Sequence, residues 1–69
     1  MKTAKQVAKQ AVYECGEFED FDTYQAAYGF LRRVSRHISE ISDTMYANTS
    51  VTKRENGKWR AYVGAAYEA

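Results

Sequence analysis

Near the start of the chain, Ala4, Val7, Ala8, Ala11, Val12 and Cys15 recur at spacings of three and four, with Lys5, Lys9, Gln10 and Glu14 between them. That period lays small apolar side chains along one stripe of an amphipathic helix running from Thr3 to Cys15. Thr3 followed by Gln6 has the form of a capping box, and Gly16 stands where a left-handed C-terminal cap would fall. The next segment, Glu17-Phe18-Glu19-Asp20-Phe21, reads as a linker. Beyond it, Asp22 with Gln25 repeats the cap pattern and predicts a second helix starting near residue 22. Its apolar stripe, Tyr24, Ala27, Leu31, Val34, Ile38, Ile41 and Met45, alternates steps of three and four for about three heptads. The helix is expected to end near Ala47 and, at about 1.5 Å per residue, to run roughly 39 Å.

The last third changes period. Val51-Thr52-Lys53-Arg54-Glu55 and Lys58-Trp59-Arg60-Ala61-Tyr62-Val63 flank Asn56-Gly57, a dipeptide that tolerates positive φ at both positions of a type I′ turn. A two-residue loop would set Arg54 opposite Trp59 and Val51 opposite Tyr62. Trp59, Ala61, Val63, Thr52 and Arg54 would then share the buried face, which should pack on the long helix around Ile38, Ile41 and Met45. The expectation is one α+β domain over residues 1–69: two antiparallel helices, short then long, followed by a C-terminal two-stranded antiparallel β-hairpin. Gly29, within the second helix, suggests a close approach of the Ala-rich first helix.

Composition narrows the function classes. At 69 residues the chain can bury only roughly 60% of its unfolded surface, so its core is marginal. Ten Lys and Arg against nine Asp and Glu leave a net charge of +1, which does not mark a polyanion binder. The apolar runs are too short to span a bilayer, and the N-terminus lacks the apolar core of a signal peptide, so a cytoplasmic protein is expected. A single Cys excludes an internal disulfide. One His and one Cys without ligand spacing predict no metal site and no cofactor, and the chain has no nucleophile, base and orienting group in a recognisable pattern. It is not expected to be an enzyme.

Two surface constellations remain. Glu14, Glu17, Glu19, Asp20 and Asp22 crowd five acids around Phe18 and Phe21, and Phe18, Glu19, Asp20 and Phe21 are the candidate contacts with a basic partner protein. Alternatively, Arg32, Arg33 and Arg36 on the second helix and Lys53, Lys58 and Arg60 on the hairpin would merge into a phosphate-binding patch if the hairpin folds back on the helix. The segment 51–63 resembles the hairpin of the DNA-binding arm domains of phage-type tyrosine integrases over about a fifth of the chain. The resemblance implies DNA contacts by Arg54 and Arg60; in those domains, however, a third strand is present and the helix follows the sheet, so it assigns no family. Six Tyr, three Phe and one Trp exceed what so small a core can hide. The leading expectation is therefore a protein-protein interaction module, an inhibitor or adaptor of the kind mobile elements encode, with a small nucleic-acid binder as the alternative. The heptad stripe allows either a monomer or a homodimer sealed through that face.

Overall fold

The computed structural model describes residues 2–14 and 16–67. Five elements follow in order: α1 (Ala4–Tyr13), β1 (Glu17–Phe21), α2 (Tyr24–Ile41), β2 (Met45–Lys53) and β3 (Trp59–Tyr67). The fold is α+β, but its sheet has three antiparallel strands in the order β1-β3-β2 rather than a two-stranded C-terminal hairpin, and a strand separates the two helices. Both outer strands run antiparallel to β3 and hence parallel to each other. The unit β1-α2-β2 is thus a crossover into whose gap β3 inserts.

The capping box of α1 forms as its residue types require. Thr3 Oγ1 accepts from the Gln6 amide at 3.2 Å, and Gln6 Oε1 accepts from the Thr3 amide at 2.9 Å. Gly16 is not a left-handed cap; Gly57 is the positive-φ residue among those described. What Gly16 supplies is space, since a Cβ there would stand 2.2 Å from the Tyr62 hydroxyl. The expected place of Cys15 on the apolar stripe lies outside the described residues.

The linker of the sequence reading is strand β1. Its pattern hides this, because phenylalanines at 18 and 21 break a period of two and acidic residues are poor strand formers. Tertiary pairing prevails: Asp20 lies opposite Arg60 and Phe21 opposite Trp59 on β3. The cap of α2 is Thr23 rather than Asp22, its hydroxyl accepting from the Ala26 amide at 3.1 Å. The helix stops at Ile41, well short of Ala47. There Ser42 and Thr44 bond each other, Oγ to Oγ1 at 3.1 Å, which offers the backbone a turn instead of another helical step. Met45 then opens a strand, so the last position of the apparent heptad stripe belongs to β2.

The hairpin is present with a different register. Arg54 N–H donates to the Lys58 carbonyl at 2.7 Å and Gly57 N–H donates to the Arg54 carbonyl at 3.0 Å, enclosing a three-residue loop, Glu55-Asn56-Gly57. Gly57 carries φ of 84° and Asn56 does not enter the positive region, which is the geometry of a type I turn closed by a left-handed glycine. The strands therefore pair Lys53 with Trp59 and Val51 with Ala61. One residue of slip moves Thr52 and Arg54 off the core face and Val51 onto it.

Both helices cover the same sheet face. Val7, Ala8 and Ala11 from α1, Ala27, Phe30, Leu31, Val34 and Ile38 from α2, and Ala61 and Val63 from β3 form the buried core. Of the heptad stripe, Ala27, Leu31, Val34 and Ile38 are buried within the molecule, Ile41 and Met45 are half-buried against the core, and Tyr24 stays exposed. Nor does the hairpin turn lie on the C-terminal half of α2: Trp59 meets Tyr24 edge-on at 5.4 Å at the start of that helix. Gly29 marks no tight contact, as a Cβ there would meet only Arg33 Nη1, at 3.7 Å. No helix among the described residues is long and apolar enough to cross a membrane.

Candidate interaction surface

Strand alternation assigns each side chain to a face. Because Ala61 and Val63 point into the core, their neighbours Arg60, Tyr62, Gly64 and Ala66 point the other way, as do their partners Phe18 and Asp20 on β1 and Tyr46, Asn48, Ser50 and Thr52 on β2. Among the described residues no helix covers this side. Phe18, Tyr62 and Tyr46 stand 45%, 42% and 47% exposed on it, a concentration of aromatic surface that a closed two-layer domain would bury. Tyr62 sits on the central strand opposite Phe18 on one side and Ser50 on the other, and its hydroxyl extends over the small residues Gly16 and Gly64.

One ion pair organises the β1 side of this face. Arg60 donates from Nε to Asp20 Oδ1 at 2.9 Å and from Nη2 to Oδ2 at 3.2 Å, a two-pronged fit between planar groups. The same guanidinium lies 3.9 Å from the Phe18 ring centroid, so it stacks on the aromatic while its edge is held by the carboxylate. The hydrogen bonds from Arg60 hold the Asp20 carboxyl below its ordinary value and raise the guanidinium in turn. The acidic run is therefore largely answered from within the chain. Glu17 pairs with Lys2, which lowers its carboxyl, and Asp22 pairs with Lys58, which raises that ammonium.

These shifts set the sign of a pH effect. Asp20 titrates lower folded than its ordinary 3.8, so its contribution is present above that value and disappears as pH falls through the folded pKa. Asp20→Asn should melt below the wild type at pH 7, and the gap should close as the buffer is taken from about pH 5 towards 2, a range that spans ordinary carboxylate titration. A gap that stays constant in melts across that series would remove Asp20 as the responsible group.

The candidate residues of the sequence reading are divided by this geometry. Phe18 and Asp20 lie on the bare face, whereas Glu19 and Phe21 lie on the helix side, and Phe21 packs against Phe30 at 5.1 Å between ring centroids. They are not one loop. Arg32, Arg33 and Arg36 are exposed on α2. Lys53 is on the helix side too, with Nζ 5.6 Å from the Trp59 centroid. Arg60 points from the opposite face and Lys58 is engaged by Asp22, so the six cations do not merge into a single patch. Glu40 approaches His37 Nδ1 at 3.5 Å. Groups of three or more acidic, His or Cys side chains placed to hold a metal do not occur among the described residues. That Tyr62 and Tyr46 share a face with Phe18 is not legible in the sequence, because it depends on the hairpin register and on residues 17–21 forming a strand.

The class defined by this architecture is a two-layer α+β domain with both helices on one face of a three-stranded antiparallel sheet and aromatic side chains on the other. No family model, curated protein or solved structure matches the chain.

Proposed function

We propose that the protein is a non-enzymatic binding module that docks the bare face of its sheet onto another protein, acting stoichiometrically as an adaptor or inhibitor. The observation that carries this reading is the exposure of Phe18, Tyr62 and Tyr46 on one uncovered face. Aromatic side chains with an Arg and short polar groups, here Asn48, Ser50 and Thr52, match the composition of protein interfaces. The chemistry favours a protein over a nucleic acid as the occupant. Arg60, the cation among these aromatics, already donates two hydrogen bonds to Asp20, and a phosphate would have to displace that carboxylate. The three arginines of α2 lie on the other side of the molecule.

The experiment compares two paired variants. Phe18→Ala with Tyr62→Ala strips the sheet face, and Arg33→Glu with Arg36→Glu reverses the helix charge; all four side chains are exposed, so both proteins should fold. In affinity capture from cells of the source organism, a partner retained by the wild type should be lost with the first pair and kept with the second. Titration of labelled DNA and RNA at about 50 and 200 mM salt supplies the opposing outcome. Binding that weakens steeply with salt and disappears with the arginine pair would replace this reading with a nucleic-acid binder.

A further inference from the structure

The two edges of the sheet differ in how they are protected. Strand β1 is five residues long and carries Glu17, Glu19 and Asp20, so it is short and charged, as edges that resist further pairing are. Strand β2 is the opposite case. It runs nine residues, Met45-Tyr46-Ala47-Asn48-Thr49-Ser50-Val51-Thr52-Lys53, without proline and with one charge, at its end. Among the described residues its ladder pairs only with β3. Since Arg54 N–H bonds to the Lys58 carbonyl, antiparallel alternation turns the backbone groups of Thr52, Ser50, Asn48 and Tyr46 towards β3. The N–H and C=O groups of Met45, Ala47, Thr49, Val51 and Lys53 are left pointing off the free edge, and no hydrogen bond among the described residues fills them.

From this the geometry points to a second copy of the chain as the occupant of that edge: β2 pairs antiparallel with the β2 of its partner about a two-fold axis at Thr49, joining two sheets into one of six strands. The strand is complementary to itself in this register. Met45 falls opposite the partner's Lys53, Ala47 opposite the partner's Val51, Asn48 opposite the partner's Ser50, and Thr49 opposite the partner's Thr49. Every residue with outward backbone groups meets another such residue, giving about ten N–H···O bonds over a seam of roughly 30 Å. No like charges face each other, because the one cation of the strand sits at the far end from the axis. Met45, Ala47 and Val51 are half-buried and already pack against the core, so on the helix side the pairing extends an existing apolar layer across the axis. Pairing at this edge is independent of what docks against the bare face, though it would double the area of that face.

An interface built mainly from one strand is small, so the dimer should depend visibly on concentration. Sedimentation from about 5 to 500 µM should carry the mean mass from near 7.9 kDa towards twice that value. Thr49→Lys and Thr49→Glu each place like charges at the axis, and each should remain monomeric throughout; mixed in equal amounts, they should recover the dimer. Thr49 is exposed, so both should melt close to the wild type at the low concentration, which separates lost pairing from lost folding. A wild type that stays monomeric at the highest concentration overturns the proposal. So does a dimer that Thr49→Lys leaves intact, or a mixture of the two variants that fails to associate.

Discussion

Ile38→Ala is expected to destabilise the protein by about 2–5 kcal/mol, the range for truncating a large buried aliphatic side chain. Ile38 is fully buried and is the largest side chain so enclosed among the described residues. A domain of 69 residues has on the order of 3–10 kcal/mol of total stability at the usual value per residue. One cavity therefore removes a large part of what holds the fold, and the melting temperature should fall by more than about 10 °C. The small residues Ala8, Ala11, Ala27 and Ala61 share that core, and none can extend to fill the space left behind. Urea unfolding followed by circular dichroism measures the loss. Because Ile38 is buried within one molecule, the difference from wild type should be the same at protein concentrations tenfold apart. A difference that grows on dilution would return Ile38 to an intermolecular seam, and a change below about 1 kcal/mol would contradict its burial.

The same stripe marks how far the pattern of the chain predicts the fold. Tyr24 to Ile41 is legible because a helix with one apolar face has a period that nothing else mimics over so many residues, and the Thr3–Gln6 box is legible because its chemistry is local. The end of α2 is not. Met45 suits both the next heptad position and the first inward position of a strand, and the choice is made by the polar turn at Ser42 and by pairing of β2 with β3, which no local window contains. Strand β1 is harder still. Its acidic residues disfavour a strand locally, and Glu17 and Asp20 are accommodated by Lys2 and Arg60, residues distant along the chain.

The surface followed the fate of the topology. The acids around Phe18 and Phe21 invite a basic partner, yet Lys2, Arg60 and Lys58 of the same chain answer three of them, and of the two rings only Phe18 is exposed. Clustering in sequence was likewise a poor guide to the cations. Arg36 and Arg60 would share a surface if a hairpin lay along a helix. With helices on one side of a sheet, they lie on opposite sides of the protein. Tyr46 and Tyr62 come to share one face only when the two long strands are aligned in the observed register.

That register can be tested at two adjacent positions. In a two-residue type I′ turn both Asn56 and Gly57 would need positive φ, and a β-branched residue at either would be strained. In the three-residue loop only Gly57 lies there, at 84°. Gly57→Val should therefore cost at least about 1–2 kcal/mol, the steric penalty of a side chain in the left-handed region. Asn56→Val should cost less. It loses the hydrogen bond that Asn56 Oδ1 accepts from the Lys58 amide at 3.0 Å, an exposed contact worth about 0.5–1.5 kcal/mol. Gly57→Asn should be milder than Gly57→Val, since Asn enters the left-handed region more readily. Chemical denaturation of the three variants ranks them. Equal losses for valine at 56 and 57 would indicate a type I′ turn, shift the strands by one residue, and take Tyr46 off the face that Phe18 and Tyr62 share. A loss confined largely to 57 is the result that the hydrogen bonds from Arg54 N–H to the Lys58 carbonyl and from Gly57 N–H to the Arg54 carbonyl require.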